Sequence, residues 1–236
     1  VRNRPKLLME SVQSVLRQTW PSCEIIICDD GSTDETRLVA EELVRTYPNV
    51  RLLCSNCLGP GGAREVARLA ARGEFIQYLD SDDILLPGKF QVQVDALRRN
   101  PGCDIAYGIT SLINEKGDVI EESYKHTAIP RIHLFPALLV DRWWCTHTPL
   151  YRRRIVDKIG PWSHLRYSQD WLYDAKAGEL GARLVFCDQL VSQHRIHSQP
   201  RQTGHGRWLD PSEQVTFFQS LLGFARNAGV RPGSTE

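Results

Sequence analysis

The chain has 236 residues, 42% hydrophobic and 24% charged, with a formal net charge of +1. That length suffices for one domain with a sizeable core, and the near-neutral balance gives no electrostatic case for nucleic acid. No apolar run is long enough to cross a bilayer and no signal peptide is visible, so membrane association is not indicated.

In chain order, Pro5 to Gln18 has a helical period, with Leu8, Val12 and Val15 on one face. Glu24 to Cys28 reads as a buried strand that empties into Asp29-Asp30-Gly31-Ser32-Thr33-Asp34. Ser32 and Glu35 have capping-box spacing, which predicts a helix over Asp34 to Tyr47. A strand over Val50 to Leu53 and a helix over Ala63 to Arg72 follow, the helix stopped by Gly73. Phe75 to Leu79 is a second buried strand, ending in Asp80-Ser81-Asp82-Asp83, and Gly88 to Arg99 is a helix. This alternation predicts a parallel sheet with helical crossovers. After Asp104 the pattern changes. Ile105 to Ile113 and Val119-Ile120 flank a hairpin-like turn, Ala182 to Phe186 is a late strand, and Pro211 to Ala228 a final helix.

Acids at strand tips carry the chemistry. Those of residues 80–83 repel one another unless a cation or hydrogen bonds offset the charge. Oxygen ligands of this kind suit Mg²⁺ or Mn²⁺, ions that commonly hold a diphosphate as well. An Asp-rich turn with a helix cap is the plainer alternative. Asp30, at the other acidic strand end, suits a hydrogen bond from a base N–H, and Asp34 suits a turn cap. Two acidic strand ends in one sheet point to a common crevice. Arg64 follows a glycine-rich helix start, where backbone N–H groups and a guanidinium suit a phosphate; a plain loop-to-helix turn fits as well.

Several runs together resemble glycosyltransferase family 2. They are Asn3-Arg4-Pro5, Ser14 through Trp20, Glu24 through Asp34, Asn56 through Arg64, Ala71 through Ile76, and Leu79 through Asp83 with Pro87. Gly160-Pro161-Trp162 followed by Gln169-Asp170-Trp171 is a looser match, with Gln169 where the family carries an acid. His194-Arg195-Ile196-His197 is similar to the family's Tyr-Arg-x-His element. Members open with a hydrophobic strand before the Asn-Arg turn. Only Val1-Arg2 precede Asn3, and that strand is expected to lie ahead of this sequence.

The resemblance implies an α/β fold of the GT-A type, Rossmann-like, with a mostly parallel sheet flanked by helices and a mixed acceptor-side region. It implies one domain, with residues 1–104 as the nucleotide-sugar half, 105–210 as the acceptor half and 211–236 as a C-terminal helix and tail. The implied reaction is inverting transfer from a nucleoside-diphosphate sugar, UDP-linked in the first instance, to a carbohydrate or other hydroxyl. Asp30, Arg64, Asp80 and Asp82 fall on the donor, Asp80, Asp82 and His197 on Mn²⁺ or Mg²⁺, and Asp170 on the catalytic base. A helix N-cap remains the alternative role for Asp170. A sugar nucleotidyltransferase and a non-catalytic nucleotide-sugar binder remain alternative functions.

Trp143-Trp144, with His147 nearby, fits the acceptor side or the core, and Trp162 the core. Arg152-Arg153-Arg154 fits an anionic acceptor or a solvated helix start. His147, His194 and His205 have no spacing that supports a metal. The seven cysteines, with Cys54 and Cys57 unmatched by a second pair, fit reduced thiols and a cytoplasmic setting, free or peripheral to a membrane.

Overall fold

The computed structural model describes residues 1–125, 129–197, 210–231 and 233. Helix α1 (Pro5–Leu16) opens on Pro5, whose fixed φ suits a first helical turn. It buries Leu8 and Val12 against β1 (Ile25–Asp29), β2 (Val50–Cys54) and α2 (Thr36–Thr46), forming one apolar cluster with Ile25, Ile27, Leu43 and Val50. Strands β1 and β2 pair in parallel from Ile25↔Val50 to Asp29↔Cys54. Helix α2 starts two residues later than the capping-box spacing predicts. Ser32 is engaged by the Asp29 carboxylate, and Asp34 takes over the helix start by accepting from Thr36 N at 2.9 Å.

On the other edge of β1, Val1 makes one parallel rung: its N donates to Cys28 O at 2.7 Å and Asp30 N donates to its O at 2.8 Å. Of the strand expected before Asn3, the sequence contains this rung. A cavity of about 440 Å³ lies between that edge and residues Phe75 to Leu79. Its walls carry none of Asp30, Asp80, Asp82 or Asp170.

The larger sheet runs β3 (Phe75–Ile76), β7 (Leu150–Arg152), β5 (Ile105–Ile113), β8 (Leu184–Arg195), β4 (Ile84–Leu85), with β6 (Val119–Tyr124) also paired to β5. It is mixed: β5 and β8 are parallel and its other pairs antiparallel. Strand β3 is shorter than its apolar run because its ladder to β7 has only the rungs of Phe75 and Ile76. Strand β8 is longer than expected. It bulges where Tyr107↔Phe186 gives way to Ile109↔Leu190, and Gly108 fits there because a Cβ would lie 2.8 Å from Gln189 O.

Helices α3 (Gly59–Ala70), α4 (Lys89–Arg99), α5 (Arg153–Ile159), α6 (Gln169–Glu179) and α7 (Pro211–Asn227) complete the fold. The largest core is aromatic. Trp162 stacks on Tyr173 at 4.1 Å, and Tyr78 meets both rings edge-on. Trp143 and Trp144 are buried in the same core, which removes both from the acceptor surface. The three arginines at 152–154 tie down neighbouring chain: Arg152 donates to Cys103 O, Arg153 to Gly73 O, and Arg154 pairs with Asp104.

The register of β4 places the acids. Ile84 pairs with Gln193, so residues 80–83, immediately before β4, lie beside His194, Arg195 and His197 at the carboxyl end of β8.

Candidate active site

The N-terminal turns of α3 connect the acidic strand ends. Asp30 is buried and accepts three bonds from the segment leading into α3: Ser55 Oγ at 2.6 Å and Leu58 N at 2.8 Å on Oδ1, and Gly59 N at 2.8 Å on Oδ2. Oδ2 therefore retains capacity for a further donor, such as a base N–H. Farther along α3, Arg64 donates to Asp80 Oδ1 and stacks over Trp162 at 4.8 Å. The other terminal nitrogen of Arg64, Nη1, is buried without a hydrogen-bond partner. Such an orphaned donor suits a phosphate oxygen.

Asp82 Oδ2 faces Arg4 Nη1 at 2.7 Å and His197 Nε2 at 2.8 Å. Asp80 is the more open acid, its side chain 36% exposed against 11% for Asp82. Asp83 turns the other way, into the protein. It accepts from Arg195 N at 3.0 Å and lies 2.7 Å from His147 Nδ1 and 3.0 Å from His194 Nδ1. Burial opposes the charge on Asp83, but the two imidazoles override it and hold the carboxyl well below the usual range.

Asp170 lies in the first turn of α6, after Ser168 at φ +52°. Its Oδ2 accepts from Arg142 Nη1 at 2.8 Å and Thr146 Oγ1 at 3.0 Å. Burial raises its pKa, yet Arg142, then Arg64 and the Thr146 hydroxyl, bring it below the ordinary value. Arg142 is fixed in turn by Asp174 on the same helix, which also accepts from Trp144 Nε1 and Tyr151 OH. Gln169 is buried beside Gly61 of α3, so the segment bearing Asp170 is packed on that helix.

That packing depends on Gly61. A Cβ there would lie 2.3 Å from Ser163 O, a backbone atom with little room to move. Gly61→Ala is expected to destabilise the chain by about 1–3 kcal/mol, as overpacking does. Gly223→Ala in α7 is the control, since it meets nothing within 4 Å and gains helix propensity. Chemical denaturation of both variants checks this, and equal stability of the two would contradict it.

The structure thus brings Arg64 to Asp80 and His197 to Asp82, and places Asp30 and Asp170 against the segments around α3. Sequence reasoning gave no role to Arg4, Arg142 or Asp174, and it grouped Asp83 with the cation-facing acids, whereas Asp83 faces His147, His194 and Arg195. The four-residue spacing of Asp170 and Asp174 on one helix was the available signal; Arg142 had none, being brought in by tertiary packing. It also missed that Cys145, His147 and His194 converge. His205 lies outside the described residues.

Comparison with known proteins gives a consistent picture. The profile described as glycosyl transferase family 2 matches residues 1–177. The chain is 35% identical over 195 residues to the UDP-Glc:alpha-D-GlcNAc-diphosphoundecaprenol beta-1,3-glucosyltransferase WfgD of Escherichia coli, covering 82% of this chain and 74% of that protein. It is 32% identical over 152 residues to an Escherichia coli chondroitin synthase, covering 64% of this chain and only 21% of that protein. Its structure resembles that of S. aureus TarS 1-349 in complex with UDP-GlcNAc, with a TM-score of 0.80 at 20% identity, over 98% of this chain and 66% of that one.

Proposed function

The chain belongs to glycosyl transferase family 2 and is a glycosyltransferase of GT-A fold, and from that premise we propose that it transfers a sugar from a UDP-linked donor to an acceptor hydroxyl, with inversion and with a divalent cation. The observation that carries this reading is the placement of α3, whose first turns contact Asp30, Asp80 and the segment bearing Asp170. Relatives support the donor class: WfgD is named for UDP-Glc, and the TarS structure was determined with UDP-GlcNAc.

Asp30 binds the uracil ring N–H through Oδ2. Arg64 pairs with the diphosphate through its orphaned Nη1. Asp82 and His197, 2.8 Å apart, offer a carboxylate and an imidazole, a chemistry that suits Mn²⁺ or Mg²⁺, and Asp80, held by Arg64 in this structure, would turn to them to complete the set. When bound, the ion supplies charge neutralisation for the departing diphosphate. Arg4 and Arg64 already neutralise these acids and lie ready to move to phosphate oxygens. Asp170 takes the proton of the attacking acceptor hydroxyl, and one base suffices for a single displacement. Residues 1–104 serve the donor and 105–210 the acceptor. Among the described residues no helix is long and apolar enough to cross a membrane. The free cysteines support a reducing, cytoplasmic setting.

The electrostatics make a prediction. Arg142, then Arg64 and the Thr146 hydroxyl, favour the ionised form of Asp170 against its burial, so its pKa is depressed in the folded enzyme. Thr146→Val removes one hydrogen bond to that form and raises the pKa. The acid limb of the kcat/KM profile should therefore move to higher pH, with turnover on the plateau retained. An unmoved limb would separate Thr146 from the catalytic carboxylate.

The function itself is tested by incubating the protein with a panel of nucleotide-sugars and Mn²⁺, with and without EDTA, and measuring free UDP. UDP release that stops in EDTA supports the reading. Pyrophosphate release from a nucleoside triphosphate would indicate a nucleotidyltransferase instead, and binding without turnover would indicate a non-catalytic binder.

A further inference from the structure

Behind the donor acids lies a second set of possible ligands of different chemistry. Cys145, His147 and His194 each offer one ligand atom, and these atoms all lie within 4.8 Å of one another. Among the described residues this is the one such group of three. The segments that carry them are far apart in sequence: the loop after Trp144, and the end of β8. Their convergence is therefore a product of the fold.

His147 gives the independent sign of a ligand. It is wholly buried, and neither of its ring nitrogens has a hydrogen bond of ordinary geometry. Nδ1 lies 2.7 Å from Asp83 Oδ2 but off the ring's donor direction, and Nε2 meets no partner at all. With Nδ1 turned to Asp83, Nε2 is a buried ring nitrogen left unsatisfied, which is costly unless something fills the gap. The rings of His147 and His194 lie nearly parallel, 13° apart, with centroids 5.8 Å apart, and Asp83 stands beside both.

We propose that Cys145, His147 and His194 bind one Zn²⁺ ion, at a site distinct from the donor cation. A thiolate and two imidazoles make a sulfur–nitrogen donor set, which selects zinc over the hard ions that suit Asp80 and Asp82. Charge favours it too. Zn²⁺ with one thiolate and the neighbouring Asp83 carboxylate sums to zero with both imidazoles neutral. On binding, the Cys145 sulfur exchanges its proton for the metal, the proton leaves to solvent, and no electron moves. The ion would join the end of β8 to the loop bearing Thr146, and Asp83, which lies beside both imidazoles, links the turn of the donor acids to that junction. Three protein ligands leave the fourth zinc position to water, and the assignment of the site does not depend on the sugar or acceptor used.

The test uses the whole chain, free of any histidine tag and purified from zinc-supplemented medium. Elemental analysis should find one zinc per chain. Zinc-edge X-ray absorption should show one sulfur at about 2.3 Å and nitrogens at about 2.0–2.1 Å. With Co²⁺ in place of zinc, a thiolate-to-cobalt charge-transfer band should appear, survive Cys54→Ser with Cys57→Ser, and vanish in Cys145→Ser. Absence of retained zinc and of the cobalt band in the unaltered chain would overturn the proposal. So would a sulfur-free shell, which would place the ion at Asp80 and Asp82, or a band that persists in Cys145→Ser. The absorption measurement needs no variant, so it decides the matter even if Cys145→Ser does not fold.

Discussion

Asp170→Asn is expected to cut turnover by about a hundred- to ten-thousand-fold, the usual contribution of a positioned general base. The substitution preserves shape, and the amide oxygen can still accept from Arg142 and Thr146. The fold should therefore hold, and donor affinity should stay near that of the unaltered enzyme. What is lost is the ability to take a proton. A fall in kcat with donor KM little changed is the signature of an interaction made in the transition state. Asp174→Asn is the informative companion. Asp174 touches Arg142, Trp144 and Tyr151 inside the core, not the acceptor. Its loss leaves the buried Arg142 cation less well paired and should lower stability, by about 3–5 kcal/mol if the pair is broken outright. Steady-state kinetics and denaturation of both variants separate the two carboxylates. Full turnover in Asp170→Asn would move the base elsewhere.

Asp82→Ala is expected to abolish transfer. Its carboxylate faces both Arg4 and His197, so the substitution removes a proposed cation ligand and leaves two cationic or polar groups facing each other. The fold should survive, because the turn is still held by Asp83 through Arg195 N and by Asp83 N donating to Asp80 O. Circular dichroism should be unchanged while UDP release falls to background. Asp82→Asn, which keeps the volume and removes the charge, should fall nearly as far if the charge is what matters. Activity in Asp82→Ala that survives EDTA would remove the cation from the account.

The two acidic turns were legible because their signals are local. An apolar run and an acidic tip sit next to one another in Glu24 to Asp34 and again in Phe75 to Asp83; the structure places the first tip at the end of β1, whereas the second follows a strand that stops at Ile76 and lies directly before β4. His197 was found through a motif and lies on Asp82. The rest of the site depends on distant chain. Arg142 reaches Asp170 across 28 residues, and His147 meets Asp83 through the packing of a loop with no periodicity. Trp143 and Trp144 had two plausible fates, and burial in the aromatic core decided between them. The mixed order of the larger sheet was hidden for a similar reason. Strand β7 is three residues long, Leu150–Arg152, too short to stand out as a pattern, yet it links β3 to β5.

In the proposed function Asp30 and the acids of residues 80–83 form one UDP site completed by a divalent cation. Calorimetric titration with UDP tests it most directly, in Mn²⁺ and in EDTA, on the unaltered chain and on Asp82→Ala. Saturable UDP binding in Mn²⁺ is expected, lost in EDTA and lost in Asp82→Ala. UDP binding of equal affinity in EDTA, or in Asp82→Ala with Mn²⁺ present, would contradict it.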